Sequence, residues 1–269
     1  MSTYIYGIAR STHSKLPQGM NGVGTPARTV RIVTAGDLSA ICSDAPEGLR
    51  PKRNDLLAHQ NVLAEAGAGG AVLPMRFGSL APDDLAVAGV LEERGDHYKE
   101  RLEALDGKVE YNVKATHNQE AVLHQVMAER PELRELTEAN RLAGGGSYEQ
   151  RLHLGEMVVA AVQAREQADA AELQATLERV SDAVNAGPES TGWLANVSFL
   201  VARKSAEEFL AALDSLRKEH AHLELRVNGP LPPYSFVDPG PAEHAQPSTA
   251  DVSSAPSTAD VTGERGRTE

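Results

Sequence analysis

One cysteine, Cys42, stands in the whole 269-residue sequence. That excludes an intramolecular disulfide framework and any zinc site built from several cysteines. Aromatic residues make up only 4% of the chain, too few for the stacking platforms of single-stranded nucleic-acid binders. Basic charge is scarce as well: 26 Lys and Arg stand against 38 Asp and Glu, for a formal net charge of −12. Nucleic acid is therefore not expected as a partner, because phosphate contacts need basic patches. No run approaches the ~20 apolar residues of a membrane-crossing helix. The start, Met1-Ser-Thr-Tyr-Ile5, lacks the basic and apolar stretches of a secretory signal. These exclusions lead to the expectation of a cytoplasmic, acidic, soluble protein of about two domains at ~100–150 residues each.

The chain's end differs in kind from the rest. Residues 239–269 hold no aromatic, Leu or Ile, and they repeat Pro247-Ser-Thr-Ala-Asp-Val252 as Pro256-Ser-Thr-Ala-Asp-Val261. Such a segment buries too little apolar surface to offset its ordering entropy, and a disordered tail is expected. It carries five acidic and two basic residues, which leaves −9 of the charge on residues 1–238.

Within those residues, period-2 alternation marks strands at Val109-Tyr111-Val113-Ala115, at Trp193 to Val201, and at Leu223-Leu225-Val227. Between the last two, Ser205-Ala-Glu-Glu208 reads as a capping box ahead of Phe209, Leu213 and Leu216 at helical spacing. Strand–helix–strand in this order fits a split β-α-β unit. Helix fills residues 118–140, with Pro131 restarting it, and Gly144-Gly-Gly146 then breaks the chain. A long helix is predicted from Tyr148 to Val184. Its stripes, Leu154-Val158-Ala161 and Leu173-Leu177-Val180-Val184, point in different directions, so a bend is expected near Gln167–Ala170. In the first third, Tyr4, Tyr6 and Ile8 suggest a strand, and Val30/Ile32 with Leu38/Ala40/Cys42 a hairpin about Gly36-Asp37. A helix from Asn54 follows, then a buried strand at Ala71–Phe77 whose Pro74 implies an edge or a kink, then helix from Asp83 to Leu105. The fold class expected is α+β: a small α/β domain over residues 1–100, a helix-rich α+β domain over 101–238, and the tail, 239–269.

Motifs for chemistry are absent or incomplete. Gly67-Ala-Gly69-Gly70 and Gly144-Gly-Gly146 lack the Lys-Ser/Thr and strand–helix setting of phosphate loops. Cys42 reads as a small buried hydrophobe. Of nine histidines, only His220 and His222 lie close together; a metal site needs a further ligand, and neither His-Glu-x-x-His nor Cys-x-x-Cys occurs. Solvated surface histidines are expected, with no cofactor and no catalytic or metal residue. Two segments stand apart. Val72-Leu-Pro-Met-Arg-Phe-Gly78 sets an Arg beside Met and Phe, a pairing enriched at interfaces. Asn228-Gly-Pro-Leu-Pro-Pro-Tyr-Ser-Phe-Val237 contains Pro230-x-x-Pro233, which reads either as a polyproline ligand or as a rigid exit packed on the domain by Tyr234 and Phe236.

Taken in order, Tyr4-Ile-Tyr-Gly-Ile8, Val72–Gly78, Asn196-Val-Ser-Phe-Leu-Val201 and Gly229-Pro-Leu-Pro-Pro-Tyr-Ser-Phe236 resemble the gas vesicle protein GvpF/GvpL family. Leu231 departs from the Trp of the family's Gly-Pro-Trp-Pro-Pro-Tyr form. The resemblance implies an N-terminal α/β domain and a C-terminal modified ferredoxin-like domain. It also implies a cytoplasmic accessory and minor component of gas vesicles that contacts the hydrophobic shell protein GvpA, with other accessory proteins as further partners, and limits GvpA aggregation during nucleation. No catalytic residue carries over. Leu73, Met75, Arg76, Phe77, Leu231 and Tyr234 are the expected partner contacts. Two alternatives stay open: a small-molecule sensor, on ferredoxin-like analogy, and an enzyme holding an anionic substrate through Arg76 in a cleft between the domains.

Overall fold

Apolar alternation along Thr3–Arg10 (β1) sets the first sheet, with one irregularity. Tyr4 and Tyr6 join one apolar cluster, whereas Ile8 joins the cluster on the opposite face. A register shift between Ile5 and Gly7 inserts the extra residue that reverses the alternation. The computed structural model describes residues 2–188 and 192–238; the expected tail lies outside them. In this sheet the order is β2 (Arg31–Ala35), β3 (Leu38–Asp44), β1 and β4 (Val72–Pro74), with β5 (Leu80–Ala81) also paired to β1. Pro74 sits in an edge strand, where its missing N–H costs no ladder bond. Helix α1 (Arg53–Gly69) covers the Tyr4/Tyr6 face through Val62, Leu63 and Ala66. The other face is covered by α2 (Asp84–Glu93) and α3 (Gly95–Leu105), two helices where one was expected, through Val87, Leu91, Tyr98 and Leu102. Gly7 lets α1 lie this close, since a Cβ there would meet Leu73 O at 2.8 Å and Leu63 Cδ2 at 2.9 Å.

The second sheet is fully antiparallel between neighbours, in the order β7 (Ala183–Ala186), β8 (Ala195–Ala202), β6 (Lys108–His117), β9 (Leu223–Leu231). Strands β8 and β9, joined by α7 (Ala206–Glu219), flank β6 as a split β-α-β unit. The full succession is ferredoxin-like, with three helices in the place of the first: α4 (Gln119–Glu129), α5 (Pro131–Leu142) and α6 (Tyr148–Glu178). Inward residues Tyr111, Val113, Phe199 and Val201 meet Leu173, Leu177, Phe209 and Leu213 in the core beneath α6 and α7.

Three local expectations are corrected. Helix α6 runs unbroken through 31 residues, because its stripes serve different partners: Leu154, Val158 and Ala161 pack on α4 and α5, while Leu173 and Leu177 pack on the sheet. It ends at Glu178, and Val184 lies in β7. Ser205 makes no side-chain cap, whereas Ser147 and Gln150 form a reciprocal capping box at the start of α6. The two sheets share core: Leu200 of β8 and Phe236 join the cluster of Ile8, Leu38 and Tyr98.

Candidate functional site

The segment after β9 is tied down by polar contacts from several elements. Buried Glu110 accepts hydrogen bonds from Ser235 N (2.8 Å) and Ser235 Oγ (2.7 Å). Arg101 donates to Phe236 O at 2.8 Å and Val237 O at 3.1 Å, and Asn185 Nδ2 donates to Ser235 O. Gly229 presses against the Tyr111 ring and Glu110 O so closely that no Cβ fits. Phe236 is then seated in the shared core, so this stretch is a packed exit rather than a free polyproline ligand. Glu110→Ala removes two bonds to a carboxylate acceptor and leaves the half-buried Ser235 N–H without its partner. It is expected to cost about 2–3 kcal/mol, read as a lower urea midpoint.

The expected contact residues separate into three groups. Leu73 is fully buried and cannot meet a partner directly; as the middle residue of a three-residue edge strand it fills the core under α2 and α3. Phe77 and Tyr234 come together around His59: Phe77 lies edge-on at 5.9 Å and Tyr234 stacks at 6.4 Å between ring centroids. Half-buried Met75 and exposed Arg76 border this cluster. Leu231 lies elsewhere, in a cleft of about 520 Å³ lined also by Gly67, Gly69, Lys108 and Arg203. Arg76 is not among the residues that line that cleft.

His59 organises the aromatic group, and sequence spacing gave no sign of it. Its Nε2 lies 3.1 Å from Met75 O, an acceptor only, so Nε2 carries the proton. Its Nδ1 therefore accepts from the Tyr4 hydroxyl at 2.8 Å, which in turn accepts from Gly78 N–H at 3.4 Å. Burial depresses the His59 pKa, partly opposed by the bond to Met75 O, and burial raises the Tyr4 and Tyr6 phenols. Burial also pushes the Cys42 thiol up to about 12, consistent with its reading as a small hydrophobe.

A second surface lies on α6. At ~100° per residue, Tyr148, Leu152 and Val159 fall within about 40° of one another. All three are exposed, at 72%, 50% and 56%. The stripe Leu154, Met157, Val158 and Ala161 occupies the other side and packs on Val122, Val126 and Leu133. The first half of α6 is thus apolar on two faces, only one of them covered within this chain; Leu142, 75% exposed, lies at the end of the neighbouring α5. The i, i+4, i+11 spacing was visible in the sequence, but the covered stripe is stronger and masked it.

His124 and His153 are exposed, as expected, but His59 and His222 are buried and His117 and His220 are largely enclosed. His117, Asp169 and His222 converge with their ligating atoms within 4.8 Å of one another, and Asp169, Glu172 and His220 do the same. The groups that meet the His220/His222 pair come from the end of β6 and from α6, about fifty residues or more away in the chain.

This architecture, an α/β sheet unit joined to a ferredoxin-like unit with an inserted helical lobe, is that of solved gas vesicle proteins. The crystal structure of GvpF from Anabaena sp. PCC7120 superposes with a TM-score of 0.71 over 88% of this chain and 98% of that one, at 22% identity. That of GvpF from Microcystis aeruginosa gives 0.65 over 88% and 99%, at 21% identity. The family model described as gas vesicle synthesis protein GvpL/GvpF matches residues 2–238, and the chain belongs to that family. Gas vesicle protein F of Streptomyces sp. (strain CB03234) is 65% identical over 238 residues, 88% of this chain and 100% of the relative. Gas vesicle protein L of the same strain is 29% identical, covering 87% of this chain and 92% of the relative. Membership carries a gas-vesicle-associated role. Among the described residues, no helix is long and apolar enough to cross a membrane.

Proposed function

We propose that this chain is a cytoplasmic assembly factor that binds the shell protein GvpA and limits its aggregation while a vesicle nucleates. The observation that carries the reading is the uncovered apolar stripe Tyr148-Leu152-Val159, about 16 Å long at ~1.5 Å rise per residue. An exposed apolar row on a rigid helix is the kind of surface that engages another apolar helix or sheet face. The net charge of −12 would keep such a carrier from self-associating. Met75, Arg76, Phe77 and Tyr234 are proposed as a second contact, with Leu231 nearby in the chain but on its own cleft. Residues 1–100 and 101–238 are proposed as the two domains that present these surfaces.

The test is co-purification with GvpA and the turbidity of GvpA with and without the full chain. The wild type is expected to bind and to suppress turbidity. Leu152→Glu is expected to weaken binding about tenfold or more, equivalent to ~1.4 kcal/mol. A wild type that neither binds nor changes turbidity would overturn the assembly-factor reading. Normal binding by Leu152→Glu would remove the helical stripe, and normal binding by Arg76→Ala and Phe77→Ala would remove the second contact.

A further inference from the structure

We propose that His117, Asp169 and His222 form a binding site for a divalent transition-metal cation of the zinc class, a clip between α6 and one end of the second sheet. This goes beyond the assembly role and does not depend on it.

The three ligands come from three elements. The β6–β9 register pairs His117 with Leu223, and Asn118 N–H donates to His222 O at 2.9 Å, which brings the two imidazoles side by side with ring centroids 5.5 Å apart. Helix α6 then lays Asp169, its side chain wholly buried, between them. His117 Nε2 lies 2.7 Å and His222 Nε2 2.8 Å from the same oxygen, Oδ2. Two imidazoles and a carboxylate are a zinc-type donor set with one position left for water. Bonds of ~2.0–2.1 Å in a tetrahedron place ligand atoms roughly 3.3 Å apart, so the two histidines need only withdraw by about half an ångström. Arg165 holds the other oxygen, Oδ1, at 2.7 Å and leaves Oδ2 to the metal, an outer-shell brace of the usual kind.

Two further observations point to a cation. First, carboxylates exceed fixed cations around the histidines. Glu166 lies 4.0 Å from His117 Nδ1, Glu172 lies 3.4 Å from His220 Nε2, and Glu129 shares Arg165 with Asp169. Second, His117 is nine-tenths buried and its Nδ1 has no hydrogen-bond partner. Donation from Nε2 to Asp169 leaves Nδ1 of the neutral ring a bare acceptor with no donor near it. Coordination through Nε2 reverses the tautomer: Nδ1 then bears the proton and faces Glu166, giving the carboxylate–histidine–metal relay. Entry is from a cleft of about 690 Å³ whose lining includes His222, His220, His124 and Arg165.

The experiment titrates the EDTA-treated full chain with Co²⁺ and Zn²⁺. One equivalent of Co²⁺ is expected to bind with the visible absorption of a tetrahedral centre, and Zn²⁺ is expected to displace it and raise the thermal midpoint. His222→Ala should lose the absorption. Glu166→Gln, at a half-exposed position, should keep the fold and weaken affinity about 10–100-fold. His153→Ala, on the exposed side of α6, should change nothing. No binding by the wild type, or binding indifferent to both His222→Ala and Glu166→Gln, overturns the proposal. So does a cluster that responds to pH alone and not to either metal, which would make it a proton site. If His222→Ala fails to fold, the affinity of Glu166→Gln decides.

Discussion

Asp169→Ala is expected to lower the unfolding free energy of the EDTA-treated chain by about 3–5 kcal/mol, the range for deleting one partner of a buried charge cluster. The side chain has no exposed surface, and it receives His117, His222 and Arg165 at 2.7–2.8 Å. Burial alone would raise its carboxyl pKa, but the Arg165 guanidinium paired with Oδ1 and the hydrogen bonds from His117 and His222 outweigh burial and hold it below the ordinary value. The group is thus an anion at neutral pH, and its removal strands three donors, two of them on rings nearly closed to water. The damage would be focused where α6 crosses from its contacts with α4 and α5 to its contacts with the sheet. Equilibrium urea denaturation is the check. Glu172→Ala, half-exposed on the same helix beside His220, is the control and should cost no more than about 1 kcal/mol. Equal losses for the two variants would show that Asp169 is no more than another surface carboxylate.

The same residue shows where sequence reading stops. Strands β6, β8 and β9 were legible because one face of each is buried and the other is not, so alternation survives in the residue order. Their pairing into a split β-α-β unit followed from the spacing of α7. Pro74 correctly implied an edge, since a proline inside a ladder would leave a bond unmade. The unbroken α6 was misread because two differently directed stripes look the same whether the helix bends or merely changes partners. Asp169 lies among Ala and Glu residues on that helix and resembles any solvated carboxylate until the sheet register brings His117 and His222 to it. His59 is hidden for a similar reason: Tyr4, Met75 and Tyr234 reach it from three separate elements. Contacts set by long-range topology leave no local period. The motifs that carried the family resemblance prove to be places of close approach: Gly7 beneath α1, Gly229 against Tyr111, and Phe236 in the shared core.

His59→Ala is the other large effect expected, about 3–4 kcal/mol, because it leaves the Tyr4 O–H without an acceptor and Met75 O without its donor, and opens a cavity among Tyr6, Phe77 and Tyr234. The imidazole also makes stability depend on pH in a definite direction. In the unfolded chain it takes a proton near pH 6.5. In the folded chain burial depresses that pKa, and the neutral tautomer is fixed by Met75 O and Tyr4. Below about pH 6.5 the unfolded state therefore binds more protons, and the native state loses stability as pH falls from there towards the depressed folded value; above it the contribution is complete. A glutamine at position 59 supplies one donor and one acceptor without titrating. His59→Gln is expected to cost less than His59→Ala, about 1–2 kcal/mol, and to flatten this part of the acid loss. Comparing wild type with His59→Gln at each pH cancels the titration of the other histidines, His117 and His222 included. If the two curves stay parallel from pH 7 through pH 5, His59 is not held neutral in the folded state, and the order of Tyr4, Phe77 and Tyr234 around it must rest on packing alone.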